Sequence, residues 1–188
     1  MNVSAIIAAW RRTYVQTPPI GFMLRQQHPD AWLRVHTLPL GKRLPSTESE
    51  RDTVLSRWNE VAGAVLEPRE SVGVFVMDAG QTSSADGDPS LLERMAMSRI
   101  SPFPSDWARQ LDEYMEMSAA ALWAGAIGWT ATCLDELVLA AALDKMGAVT
   151  VFSTKHGDAL CPYDGGIDAV LRDPLRRSVA TAFGEWLA

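Results

Sequence analysis

The chain is poor in the residues from which reactive centres are usually built. Its 188 residues include two cysteines, three histidines and three tyrosines. Cys133 and Cys161 are too few for a disulfide framework, and neither stands in a C-x-x-C pair. Neither a disulfide scaffold nor a zinc ribbon is expected, and a reducing compartment is the simpler reading. Long apolar runs are also missing. The stretch 119–132 stops short of the roughly 18–20 residues that cross a bilayer. The run Ala5 to Trp10 is followed, not preceded, by Arg11-Arg12, the wrong order for a signal peptide. The expected compartment is the cytoplasm, with no membrane partner. Positive charge is scarce: 17 Lys and Arg stand against 23 Asp and Glu, a net −6. Nonspecific nucleic-acid binding, which needs a basic surface to displace counterions, is not expected. No P-loop, G-x-G-x-x-G, G-x-S-x-G, kinase, H-x-E, H-E-x-x-H or EF-hand pattern occurs, so no cofactor or metal is expected.

What is present describes an ordinary globular core. Hydrophobic residues make up 47% and charged residues 21%, which excludes disorder of the whole chain. Seven tryptophans, at 10, 32, 58, 107, 123, 129 and 186, are expected mainly to fill that core. One domain over residues 1–188 is expected, with an irregular segment at 79–104 as the single candidate break.

Periodicity places a helix over 3–14, stopped by Pro18-Pro19, and a strand over 31–38 followed by a basic loop at 39–45. Thr47 and Glu50 form a capping box. The next helix lines up Val54, Leu55, Trp58, Val61, Ala62, Val65 and Leu66. Ser71 to Met77 reads as a buried strand. After the polar stretch from 79, a short helix can follow Pro89, residues 98–104 read as irregular, and Ser105 caps a helix carrying Trp107, Leu111 and Tyr114. Residues 119–129 suit helix by alanine content and strand by alternation; strand is chosen. Thr132 is expected to cap a helix running to Lys145 and ending at Gly147. Strands at 148–154 and 159–161 flank a hairpin loop, with another strand at 167–171. Asp173 and Pro174 open a last helix with Leu175, Val179, Phe183, Trp186 and Leu187 on one stripe. The order is not a regular βα alternation. The expected class is α+β, with an antiparallel or mixed sheet of about five strands and helices packed on it.

Three groups of side chains invite a functional reading. The run Cys161-Pro162-Tyr163-Asp164-Gly165-Gly166-Ile167-Asp168 joins a fixed turn, an aromatic ring, two carboxylates and a double glycine. With His156 and Asp158 it could serve a small metal-dependent hydrolase, or it could be a structural corner in which Asp164 caps turn amides. Arg34, His36, Lys42 and Arg43 could hold a phosphorylated small molecule, or simply keep an edge strand charged. The third group is acidic. Residues 78–116 carry three basic and eight acidic side chains, against six basic and one acidic in residues 1–45. Asp86, Asp88, Asp112, Glu113 and Glu116, with Trp107 and Tyr114 as anchors, are the first candidate contact surface. Tyr163, Asp164 and Asp168 are the second.

Two of these stretches are similar to a known pattern when taken together. The early run Arg34-Val35-His36-Thr37-Leu38-Pro39, followed by Lys42-Arg43, and the late run Pro162 to Asp168 resemble small bacterial proteins with R-x-H-x-L-P and P-Y-D-G-G-x-D runs. Proteins of that kind are suspected of being toxin immunity proteins. The resemblance implies a noncatalytic binding protein that covers a bacterial toxin's basic active-site cleft with acidic side chains. The expected partner is therefore a protein, and catalysis is not expected.

Overall fold

Alternation in the second strand organises the molecule. In the computed structural model, which describes residues 1–78, 89–100, 104–114, 121–173 and 181–187, Val72, Val74 and Val76 point to one face of a sheet. Phe75 and Met77, on the other parity, point to the opposite face. Both sets are buried, so the strand is covered on both sides. The strands are β1 (Trp32–His36), β2 (Ser71–Asp78), β3 (Ser98–Ile100), β4 (Ala121–Gly128), β5 (Ala148–Ser153), β6 (Ala159–Tyr163) and β7 (Gly166–Val170). They form one sheet in the order β1-β7-β6-β5-β2-β4-β3, and every pairing is antiparallel. The class is α+β in a single domain, as expected, with seven strands among the described residues rather than about five.

The helices are α1 (Val3–Thr13), α2 (Gly21–Gln27), α3 (Glu48–Val65), α4 (Pro89–Arg94), α5 (Ser105–Tyr114) and α6 (Asp135–Ala142). Helices α3 and α6 supply Trp58, Val61, Val65, Leu137 and Val138 to one core layer. Helices α1, α2 and α5 supply Ile6, Trp10, Met23, Leu24, Trp107 and Leu111 to the other. Among the described helices, none is long and apolar enough to cross a membrane.

Local chemistry explains most boundaries. Asn2 Oδ1 accepts from the Ala5 amide and starts α1. The capping box forms as expected: Thr47 Oγ1 accepts from the Glu50 amide, and Glu50 reaches back to the Thr47 amide. Lys42 and the Ser46 amide also bind Glu50, and these contacts draw its carboxyl down to about 2, the Lys42 bond first.

Three expectations are corrected. Residues 98–100, read as irregular, pair with β4 as a short edge strand; three residues are too few to show a period. Thr132 does not cap α6 with its side chain. Its backbone is left-handed (φ 68°), and its amide donates to Asn59 Oδ1 of α3 at 2.7 Å, while Asn59 Nδ2 donates to Asp135 Oδ1 at 2.8 Å. An asparagine on a neighbouring helix thus organises the start of α6. The helix ends at Ala142, and Asp144 (φ 56°) supplies the left-handed residue before Gly147 can. The expected start of a last helix at Asp173 and Pro174, with Leu175 and Val179, runs into 174–180, outside the described residues. Thr181–Trp186 is a 3-10 turn in which Phe183 stacks on Trp186, and Leu187 bridges to Val35.

Trp10, Trp58, Trp107 and Trp129 are buried, and the other three tryptophans are half-buried. Trp10 is central to its layer. Its ring meets Tyr14, Phe75 and Phe152 at centroid distances of 4.4, 5.2 and 5.2 Å, and its indole N–H donates to the Thr17 carbonyl. Trp10→Ala is expected to cost about 3–5 kcal/mol in urea unfolding, the range for emptying a large aromatic site. A loss below about 1 kcal/mol would remove Trp10 from this role.

Candidate functional site

Register brings residues far apart in the chain into one row. In β1, Trp32, Arg34 and His36 share a face by two-residue periodicity. Arg34 stands opposite Asp168 of β7, and Asp168 stands opposite Cys161 of β6. One step beyond the pair Val151↔Leu160, Cys161 faces Thr150 of β5, and Thr150 faces Phe75 of β2. The row therefore runs from a cation through a carboxylate, a thiol and a hydroxyl into the aromatic core.

Each polar member has a bonded partner. Arg34 Nε and Nη2 donate to the two oxygens of Asp168 at 2.9 and 3.3 Å. Asp168 is 5% exposed. This is the forked, two-bond geometry in which a guanidinium matches a carboxylate. Thr150 Oγ1 donates to the Pro19 carbonyl at 2.8 Å, so the Cys161 thiol donates to Thr150 across 3.3 Å. Burial, with Asp168 beside it, pushes the Cys161 thiol up to about 12. Burial and then Asp168 push the Tyr163 hydroxyl up to about 12 as well. Both stay protonated at neutral pH, and neither is a ready nucleophile.

The double glycine has two separate causes. Tyr163 and Gly166 close a two-residue turn of Asp164 and Gly165, and Gly165 takes φ 105°. A Cβ on Gly166 would lie 2.7 Å from the Val35 carbonyl oxygen and 2.9 Å from the Tyr163 hydroxyl. The first glycine makes the turn; the second lets β1 and the tyrosine ring approach. Asp164 pairs with Arg43, which packs against Gly165 and ties the loop after β1 to the turn.

Above the row lies a cleft of about 220 Å³ between α2 and the β6–β7 hairpin. Ile20, Phe22, Ala148, Pro162 and Tyr163 line it, with Arg34 and Asp168 beside them. A second hollow of about 490 Å³ lies at the end of β1, among His36, Leu40, Arg57, Glu185 and Trp186. Arg57 donates to the His36 carbonyl at 2.9 Å and lies 4.7 Å over the Trp186 ring.

Of the expected contact residues, Tyr163, Asp164 and Asp168 do come together, with Arg34. Asp86, Asp88 and Glu116 lie outside the described residues, as do the side chains of Asp112, Glu113 and Tyr114. Trp107 is corrected: it is fully buried between α5 and the sheet, so it is a core residue and not an exposed anchor. The hydrolase set does not converge. His156 bonds Glu67 Oε1 at 2.7 Å, while Lys155 holds Glu67 Oε2. Asp158 is buried and accepts from the Arg172 amide. Asp164 and Asp168 hold Arg43 and Arg34. Among the described residues no group of three His, Cys, Asp or Glu side chains is placed to hold a metal. The basic quartet is also divided, since Lys42 bonds Glu50 while Arg34 and Arg43 hold separate aspartates.

Residues 20–188 match the family described as a domain of unknown function, DUF3885. The chain belongs to this family. No curated protein and no solved structure matches it. Within this DUF3885 domain, sequence reasoning missed Phe22, Arg25 and Leu40. Leu40 carried a usable signal, as the apolar residue between Pro39 and Gly41 in an otherwise basic loop. The exposure of Phe22 and Arg25 on α2 had none.

The two thiols differ in a way that labelling can read. Cys133 is exposed and Cys161 buried. Iodoacetamide at pH 8 is expected to modify Cys133 alone in the folded protein, with Cys161 reacting only after denaturation, as followed by intact mass. Rapid labelling of Cys161 in the native state would contradict the buried, protonated thiol.

Proposed function

We propose that this protein is a noncatalytic binding protein that recognises another protein, and that it acts as an immunity protein covering the basic cleft of a bacterial toxin. The observation that carries the binding reading is Leu40. Its side chain is fully exposed and its backbone is left-handed, at φ 58° and ψ 22°. An L-residue in that region costs about 1–2 kcal/mol, and an apolar side chain in water recovers none of it. Such strain is found where a surface is shaped for something else. Leu44 in the same loop and Leu187 beside β1 are also exposed. The loop is held in place by Arg43 on Asp164 and Lys42 on Glu50. A rigid apolar projection of this kind is preorganised for docking.

The chemistry of the late corner supports the same reading. Its carboxylates hold arginines, its thiol and tyrosine stay protonated, and its histidine holds a glutamate. The net charge of −6 favours encounter with a basic partner. The toxin-neutralising form of the proposal rests on the resemblance of the two motif runs.

The test is co-expression with antibacterial effectors whose active clefts are basic. The wild-type chain is expected to restore growth against its cognate effector and to purify with it as a stoichiometric complex. Leu40→Asp should weaken that complex at least tenfold, with a melting temperature unchanged because the site is exposed. Undiminished affinity in Leu40→Asp would remove this loop from the contact. Substrate turnover by the isolated chain, abolished by Asp164→Asn, would remove the noncatalytic reading.

A further inference from the structure

The cleft beside α2 has a charge that its protein does not share. Arg34 and Asp168 line it, and Arg25 stands beside them, over the same Trp32 ring that lies 5.4 Å from Arg34. Two arginines against one aspartate give a local +1 in a chain of net −6. Arg34 and Arg43 each have a carboxylate. Arg25 has none among the described residues. It is exposed, and its guanidinium lies 4.6 Å over the Trp32 ring. Stacking of this kind fixes the guanidinium plane while leaving its N–H edge open.

We propose that this cleft binds a small apolar carboxylate, a molecule of about one ring or one branched chain carrying a single anionic group. Size sets the first limit. The volume of about 220 Å³ is below the roughly 300–1,000 Å³ of sites for drug-sized ligands. The walls set the second. Ile20, Phe22, Ala148 and Pro162 favour an apolar body, and the Tyr163 ring offers it a flat face. Polarity is confined to one side, where Arg34 is 27% exposed and Asp168 engages two of its five donors. No other acceptor holds Arg34 among the described residues.

Helix geometry joins the two arginines to one site. Phe22 lines the cleft, and Arg25 lies three residues on, on the same face of α2. An anion entering past Phe22 passes Arg25 and ends at the free edge of Arg34. A cation would meet the local excess of positive charge, and a neutral isostere would lose the charge-assisted bonds. Asp168 prevents the site from becoming a strong polyanion trap, so a compact monoanion is preferred over phosphate. The site does not use Leu40, on which the binding proposal rests, so the two readings are tested separately.

Benzoate, with benzamide as its neutral isostere, is the probe pair. Amide ¹H–¹⁵N shifts of the folded chain are followed during titration with each. Benzoate is expected to give saturable shifts centred on Phe22, Cys161, Tyr163 and Asp168, with benzamide at least tenfold weaker. Arg25→Gln, at an exposed site, should weaken benzoate about tenfold and leave benzamide and the melting temperature unchanged. Phe22→Asp should abolish binding of both. Equal affinity for the two probes, shifts that do not saturate or map elsewhere, or an Arg25→Gln variant that binds benzoate as wild type would each overturn the assignment.

Discussion

The forked ion pair between Arg34 and Asp168 is the constraint on which the arrangement of this molecule depends. It joins the edge strand β1 to β7 at the middle of their five paired residues. In a sheet with a period of two, a slip of one residue turns every side chain to the opposite face. Here such a slip would carry Arg34 into the layer of Val35, Ile167 and Ala169, and strand Asp168 without its cation. Burying either charge alone is costly, because its desolvation would no longer be offset by the partner. The pair therefore acts as a register pin for a strand that, among the described residues, has one strand neighbour.

Two surfaces follow from that pin. With β1 in register, His36 lies beside Gly166, and the loop beyond it reaches the β6–β7 turn, where Arg43 meets Asp164. That contact holds the loop from which Leu40 projects. On the other side, the row continues through Cys161 to Thr150, whose hydroxyl holds the Pro19 carbonyl. Pro19 leads into α2, so the same row sets the height of Phe22 and Arg25 above the sheet. The polar side chains of the corner thus work as internal fasteners, and the features left facing solvent are an apolar projection and an apolar cleft with a positive edge. Both suit recognition.

Much of the fold was legible because its cues are local. The capping box at Thr47 and Glu50, the apolar stripe of α3 and the alternation of β2 each need only a few neighbouring residues to be read. The Asp-Gly turn and the strands around it are of the same kind. What failed depended on distant partners. The start of α6 is set by Asn59, which no window around Thr132 contains, and β3 exists because β4 offers it an edge. Tyr163, Asp164 and Asp168 could be singled out from the double glycine. Their arginine partners could not, since Arg34 and Asp168 are 134 residues apart in the chain. Trp107 shows the limit of composition: an aromatic on an amphipathic helix reads equally as core or as anchor, and only the packing of α5 decides.

The most direct test of this account is a double-mutant cycle on Arg34→Gln and Asp168→Asn, with stability measured by urea unfolding. The pair is buried on the Asp168 side and partly open on the Arg34 side, so a coupling of about 2 kcal/mol is predicted, with the double variant more stable than the sum of the single losses implies. Losses that add to within about 0.5 kcal/mol would show that the two side chains do not act together, and the pinning of β1 would have to be sought elsewhere.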